Sequence, residues 1–229
     1  MTMPCAIVLS GCGRADGSEI HESVSILIHL SRLGVPYQCF APDAPQASVV
    51  NHATGQPAPA SQTRNMLVEA ARISRGNILP LSKLDPAAYG GVIFSGGFGA
   101  AKNLSTFAMG GEQGGANCTV LPDVDRVIKG FHAAKKPIGV CCIAPVLAAR
   151  VLGTRMGGPG VKVTIGTDQA AADAIATMGS TNVPRSVTEA YCDDANKVVS
   201  TPAYMFDAKP HEVFEGIGRM CEKVAGLMK

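Results

Sequence analysis

No stretch of this 229-residue chain approaches the ~20 continuous apolar residues of a helical membrane span, so no membrane partner is expected. Charged residues make up only 17% and leave a formal charge of +2, with no basic block and no interleaving of basic and aromatic residues. Nothing therefore marks a nucleic-acid partner, and small neutral ligands suit the composition better. The N-terminal Met1-Thr-Met-Pro-Cys5 lacks the basic n-region of a signal peptide and the Arg/Ser-rich length of a transit peptide. The expected location is cytoplasmic, or the mitochondrial matrix if a transit peptide is removed. No C-x-x-C pair occurs among the eight cysteines at 5, 12, 39, 118, 141, 142, 192 and 221. Several lie in apolar runs, and a chain that is 46% apolar needs no covalent staples. Reduced thiols, mostly packed as small hydrophobes, are the expectation.

What is present is an alternation of short Val/Ile-rich runs with longer helical patterns, the signature of parallel βαβ units. Cys5–Leu9 reads as a first strand, followed by a Gly-rich loop and a helix with Ile20, Val24, Leu27 and Ile28 on one face, ending near Gly34. Pro36–Pro42 and Gly91–Ser95 read as strands, Ser61–Arg75 and Val120–Ala134 as helices. The strand at 138–142 leads into the apolar, Ala-rich helix from Pro145 to Leu152. Beyond it come a strand at Val161–Ile165, a helix at Asp168–Met178, a hairpin joining Val187–Tyr191 to Lys197–Ser200, and a helix over 211–228. Asp43–Ala60 reads as a mobile insertion. The pattern gives one α/β domain over 1–229 with a mostly parallel sheet, helices on both faces and a late β-hairpin. Ligands of such sheets collect at the carboxyl ends of the strands.

Three segments lie just past such ends: Ser10–Glu22, Ser95–Asn103 and Cys142–Pro145. Together they offer a thiol, a carboxyl and glycine amides, the set that covalent attack on a carbonyl needs. Cys142 stands where strand turns to helix, a corner that pushes a side chain out of the sheet beside helix N–H groups. Cys141, one residue earlier in the strand, is expected on the opposite face and in the core. Glu19 and Glu22 share a face of the first helix, and either can be an ordinary dipole-favourable acid or the proton partner of the thiol. A carboxyl pressed against the thiol keeps its proton, because adjacent anions in a dry pocket repel. Gly96, Gly97 and Gly99 lack both the dinucleotide spacing and a Walker lysine, and suit an oxyanion role, with one N–H near Gly97 and a second from Ile143. No His directly succeeds Cys142, and the only downstream His is His211; His21, His29, His52 and His132 read as structural or surface residues. Cys12, His21 and Glu22 match no zinc spacing, and no metal or other cofactor is expected.

With these residues in place, the chain resembles the PfpI/ThiJ superfamily, flavodoxin-like relatives of class I glutamine amidotransferases. The likeness is strongest to the sigma-cross-reacting or lycopene-enhancing branch, the isoprenoid biosynthesis amidotransferase-like proteins. It rests on Leu9-Ser-Gly-Cys-Gly13, Asp16-Gly-Ser-Glu-Ile-His-Glu22, Cys39-Phe-Ala-Pro-Asp43, Thr63-Arg-Asn65, Glu69-Ala-Ala-Arg72, Gly96-Gly-Phe-Gly-Ala-Ala-Lys-Asn-Leu-Ser105, Cys142-Ile-Ala-Pro145, Thr164-Ile-Gly-Thr-Asp168 and Thr201-Pro-Ala-Tyr-Met205. The resemblance implies a flavodoxin-like sandwich, with the elbow nucleophile on Cys142, its buried glutamate on Glu22 rather than Glu19, and the oxyanion glycine on Gly97.

The superfamily's variable histidine is missing. One branch has it immediately after the cysteine, where this chain has Ile143; another has it near Thr164-Ile-Gly166. Relatives that work with only Cys and Glu convert glyoxal and methylglyoxal to hydroxy acids without a cofactor. The resemblance therefore implies a weak glyoxalase III-type lyase or deglycase acting on small dicarbonyls through Cys142, Glu22, Gly97 and Ile143. Two alternatives belong to other classes: a redox- or stress-responsive protein using an oxidisable Cys142, and an amidotransferase-like subunit that borrows a base from a partner. Relatives are commonly dimers, so a homodimer is expected, although no interface is readable in the sequence.

Overall fold

The computed structural model describes residues 3–228; Met1 and Thr2 of the N-terminal reading lie outside the described residues. In chain order the elements are β1 (Cys5–Val8), α1 (Ile20–Arg32), β2 (Tyr37–Ala41), β3 (Val50–Asn51), β4 (Gln56–Pro57), α2 (Met66–Ala70), β5 (Ile78–Pro80) and β6 (Gly91–Phe94). They continue with α3 (Pro122–Ala133), β7 (Ile138–Cys141), α4 (Pro145–Leu152), β8 (Lys162–Val163), α5 (Gln169–Thr177), β9 (Thr181–Asn182), β10 (Tyr191–Asp193), β11 (Val198–Thr201) and α6 (Pro210–Leu227). The central sheet runs β10-β11-β7-β6-β1-β2-β5 and is parallel except for the antiparallel β10–β11 pair. This is the expected α/β sandwich with its late hairpin.

Alternation along the inner strands sends side chains to two cores. Ala6, Val8, Val92, Phe94 and Val140 meet α3, α4 and α5 through Val127, Ile128, Phe131, Val146 and Ile175. Ile7, Ile93, Cys141 and Val199 meet α1 and α6 through Ile26, Leu30, Ile217 and Val224. Gly139, in register with Ile93 and Val199, has no side chain, and a Cβ there would press on Ile93 and on Val224 of α6. The missing methyl lets that helix lie close to the sheet.

Several sequence expectations shift. The helix read over Ser61–Arg75 contracts to Met66–Ala70, because the Asn65 side chain accepts from the N–H groups of Leu67 and Val68 and starts the helix there. The strand read at Val161–Ile165 shortens to Lys162–Val163, which pairs with β9 outside the central sheet. The amide of its first residue and the one just past its end turn instead to side chains, Lys162 N–H to Asp193 at 2.8 Å and Thr164 N–H to Ser200 at 2.8 Å. The first hairpin strand begins at Tyr191 rather than Val187. The edge strand β5 and the ribbon β3–β4 have too few residues to show a period.

The segment read as a mobile insertion is pinned along its first half to the loop after β1 and to Asn103 after β6. Gln46 donates to the Asp16 carbonyl at 2.8 Å, Ala47 N–H to Asn103 Oδ1 at 2.9 Å, and Val50 N–H to Asp16 Oδ2 at 2.8 Å. Asp16 is buried, with Arg64 3.6 Å and His52 3.7 Å away. Asp16→Ala removes a charge-assisted bond and leaves these partners facing a cavity. Its expected cost is about 2 kcal/mol in urea unfolding, with protease cleavage inside 43–60 appearing earlier than in the wild type.

Candidate active site

Four parallel strands end on one edge, and the segments leaving those ends build the site: α1 after β1, Ser95–Phe98 after β6, Cys142–Ala144 after β7, and Pro202–Phe206 after β11. Cys142 has φ 56°, a left-handed conformation that a non-glycine residue adopts only under constraint. Its N–H is held by the Thr201 carbonyl at 3.0 Å, and the chain then turns into α4. The second constrained residue of the site is Ala203, φ 45°, just past β11.

Cys142 is 7% exposed and opens into a large pocket, whereas Glu22 beside it is completely buried. The Glu22 carboxyl lies against the Cys142 side chain where both meet Gly96. Gly96 N–H donates to its Oε2 at 3.1 Å and Tyr204 N–H to its Oε1 at 3.4 Å. Any Cβ on Gly96 would collide with both Cys142 and Glu22, so a glycine is needed for the thiol and carboxyl to meet. Gly97 adopts φ 87°, and a Cβ there would strike Glu19 N and Gly17 O.

Burial, then the Glu19 carboxylate, raises the Glu22 pKa to about 7, against the pull of Cys142, the Tyr204 amide and Cys141 toward the anion. The carboxyl thus holds its proton well into the neutral range, in the direction the sequence implies. The thiol does not become acidic. Burial first, then the Glu22 charge, raises Cys142 well above an ordinary thiol, and the amides of Gly97 and Ile143, which favour its anion, offset this only in part. The helix-terminus argument for a ready thiolate is therefore outweighed in the resting site. Below about pH 7 thiol and carboxyl each hold a proton, and once the first leaves the pair shares the second.

The readings of Cys141 and His21 change, and the choice between Glu19 and Glu22 closes. Cys141 is in the core, yet it does not face away: its sulfur donates toward Glu22 Oε2 and toward the Phe94 carbonyl, each at 3.7 Å. Strand alternation points Cys141 toward α1, and the left-handed turn at Cys142 breaks that alternation, bringing both sulfurs to the glutamate's side. Glu19 takes the ordinary role, as the N-cap of α1 accepting from Glu22 N–H at 2.7 Å. His21, read as structural or surface, is exposed but lines the pocket, with Nδ1 2.7 Å from the Tyr204 hydroxyl. His29, His52 and His132 bind Phe214, Ala15 and Asn196. Tyr204 is the contributor that the residue-by-residue reading passed over. The hairpin pattern concealed that β11 also pairs in parallel with β7 and so ends on the same edge.

The pocket holds about 860 Å³ and is walled by Cys142, Ile143, Gly97 and Phe98, by Phe107 and Ala108, by Ala170, Ala171 and Ala174 of α5 and its start, and by Tyr204, Met205 and Phe206. Arg14, Glu19, Asp168 and Asp207 add charges. No residue of 43–60 belongs to the lining.

A cysteine in a strand-to-helix corner above a buried glutamate sits here on a parallel α/β sheet whose fold is that of DJ-1 and ThiJ/PfpI structures. Solved structures agree in fold: a ThiJ/PfpI domain protein from Brachyspira murdochii aligns at TM-score 0.57 with 12% identity, over 98% of this chain and 95% of its own. No protein-family model matches the chain. An isoprenoid biosynthesis protein with amidotransferase-like domain from Ehrlichia chaffeensis is far nearer, at TM-score 0.89 and 33% identity, over 99% of this chain and all of its own. Among curated proteins, the human "Glutamine amidotransferase-like class 1 domain-containing protein 3, mitochondrial" is 50% identical over 231 residues, covering 97% of this chain and 82% of the relative. The rat "ES1 protein homolog, mitochondrial" is 49% identical over 97% of this chain and 83% of its own length. The chain belongs to this ES1 family of glutamine amidotransferase-like class 1 domain proteins.

Proposed function

We propose that the protein is a cofactor-independent enzyme of the glyoxalase/deglycase type, converting reactive dicarbonyls to hydroxy acids. The observation that carries this reading is the buried Cys142–Glu22 pair facing the amides of Gly97 and Ile143. The Cys142 thiol adds to the aldehyde carbon of methylglyoxal. A C–S bond forms, the carbonyl electron pair moves to oxygen between the two amides, and the thiol proton passes to Glu22. Glu22 hands that proton on to the oxygen and, ionised again, takes the C1 proton of the hemithioacetal and returns it to C2 through an enediol. The result is a lactoyl thioester, which water hydrolyses to lactate and free thiol. The sum is methylglyoxal plus water to lactate, with no oxidant or reductant.

Relatives named mitochondrial support the same compartment for this chain. Among the described residues no helix is long and apolar enough to cross a membrane. The test is incubation of the purified protein with methylglyoxal, without glutathione, with the products read by NMR in D₂O. Lactate that forms in proportion to protein is the expected product; lactate at the protein-free rate overturns the reading.

A further inference from the structure

The site's chemistry needs little space, but the pocket around Cys142 is large. A three-carbon dicarbonyl would occupy a small part of about 860 Å³, a volume near the upper end of the roughly 300–1,000 Å³ typical of pockets for much larger ligands. Phe107, Phe206, Met205 and Ala174 are among its lining residues, and none carries a strong hydrogen-bonding side-chain group. Among the described residues the lining carries Glu19, Asp168 and Asp207 against Arg14 and the imidazole of His21, an excess of negative charge while that ring is neutral, which opposes an anionic substrate. Two of these acids already accept backbone N–H groups, Glu19 from Glu22 and Asp168 from Ala171, and so are fixed in place.

We propose that the preferred substrate is a neutral carbonyl compound carrying an extended apolar chain, with its aldehyde at Cys142 and its tail along the Phe107–Phe206–Ala174 wall. This rests on the dicarbonyl reading and assigns it a substrate class. An apolar tail gains at each methylene it buries, whereas a tail ending in a carboxylate loses that gain against the acidic lining.

The experiment is a homologous series of 2-oxoaldehydes, R–CO–CHO, with R from methyl to pentyl, together with one member bearing a terminal carboxylate. The expected result is a rise in kcat/KM of about two- to fourfold per added methylene, abolished by the carboxylate. Ala174→Phe, which fills the wall, should cut the pentyl-to-methyl ratio by about tenfold. A flat series with measurable methylglyoxal turnover overturns the substrate class and leaves the chemistry standing. A binding arm covers the converse: calorimetry of Cys142→Ser with 2-nonanone against nonanoate. If no aldehyde turns over yet the ketone binds and the carboxylate does not, the dicarbonyl chemistry fails and the apolar, neutral preference survives. Equal binding of both, or of neither, overturns the preference.

Discussion

Cys142→Ser is expected to abolish lactate formation from methylglyoxal, a loss on the order of a thousandfold or more, since the group that forms the covalent bond is removed. A serine hydroxyl at this corner has no base strong enough to deprotonate it, since the nearest acceptor is a carboxyl whose own pKa is about 7. The informative control is the preceding residue. Cys141→Ser keeps a donor toward Glu22 and the Phe94 carbonyl at the position where the sulfur lies 3.7 Å from each. It should retain activity within about fivefold, the worth of one neutral hydrogen bond. The two serine variants differ by one position and by hundreds-fold in expected rate. Equal activity in Cys142→Ser and wild type, with contaminating glyoxalase excluded, would remove Cys142 from the mechanism.

Glu22→Gln is expected to lower kcat/KM by about 10²–10⁴-fold, the usual contribution of a positioned proton-transfer group. It also removes the inflection near pH 7 from the pH–rate profile. In the wild type the rate should rise through that inflection, because only an ionised Glu22 can accept the thiol proton. Stability should move the opposite way. Below pH 4.5 folded and unfolded chains both hold the proton, and Glu22 adds no pH dependence. Between 4.5 and about 7 the unfolded chain releases it while the folded chain keeps it, so stability falls with rising pH; above 7 the loss is complete. The gap converts to about 3 kcal/mol. Urea unfolding at pH 4.5 and pH 8 should show this fall in the wild type and a smaller one in Glu22→Gln. An equal fall in both would assign the pH dependence to other groups.

The parts of the structure that are legible in the sequence are those set by period and by special residues. Ile7, Ile93 and Val199 mark buried strands through their apolar runs, and the Cys142-Ile-Ala-Pro145 corner marks the elbow by its own composition. Glu22 required the family likeness, since helical spacing alone left it equal to Glu19. Other features depend on tertiary geometry. Tyr204 reaches Glu22 only because β11 pairs with β7 as well as β10, a choice of neighbour that no local pattern encodes. The shared glutamate of Cys141 and Cys142 arises from one left-handed dihedral, where strand alternation predicts opposite faces. The apolar pocket is assembled from Phe107, Ala174 and Phe206, too far apart in sequence to be read as a group.

The proton shared between Cys142 and Glu22 is tested most directly by the alkylation rate of Cys142 with iodoacetamide, read by peptide mass mapping from pH 5 to 9.5 in wild type and Glu22→Gln. The expected result is a step in the wild-type rate near pH 7, as Glu22 ionises and begins to accept the thiol proton, and no such step in the variant. Superimposable profiles for the two proteins would contradict the shared proton.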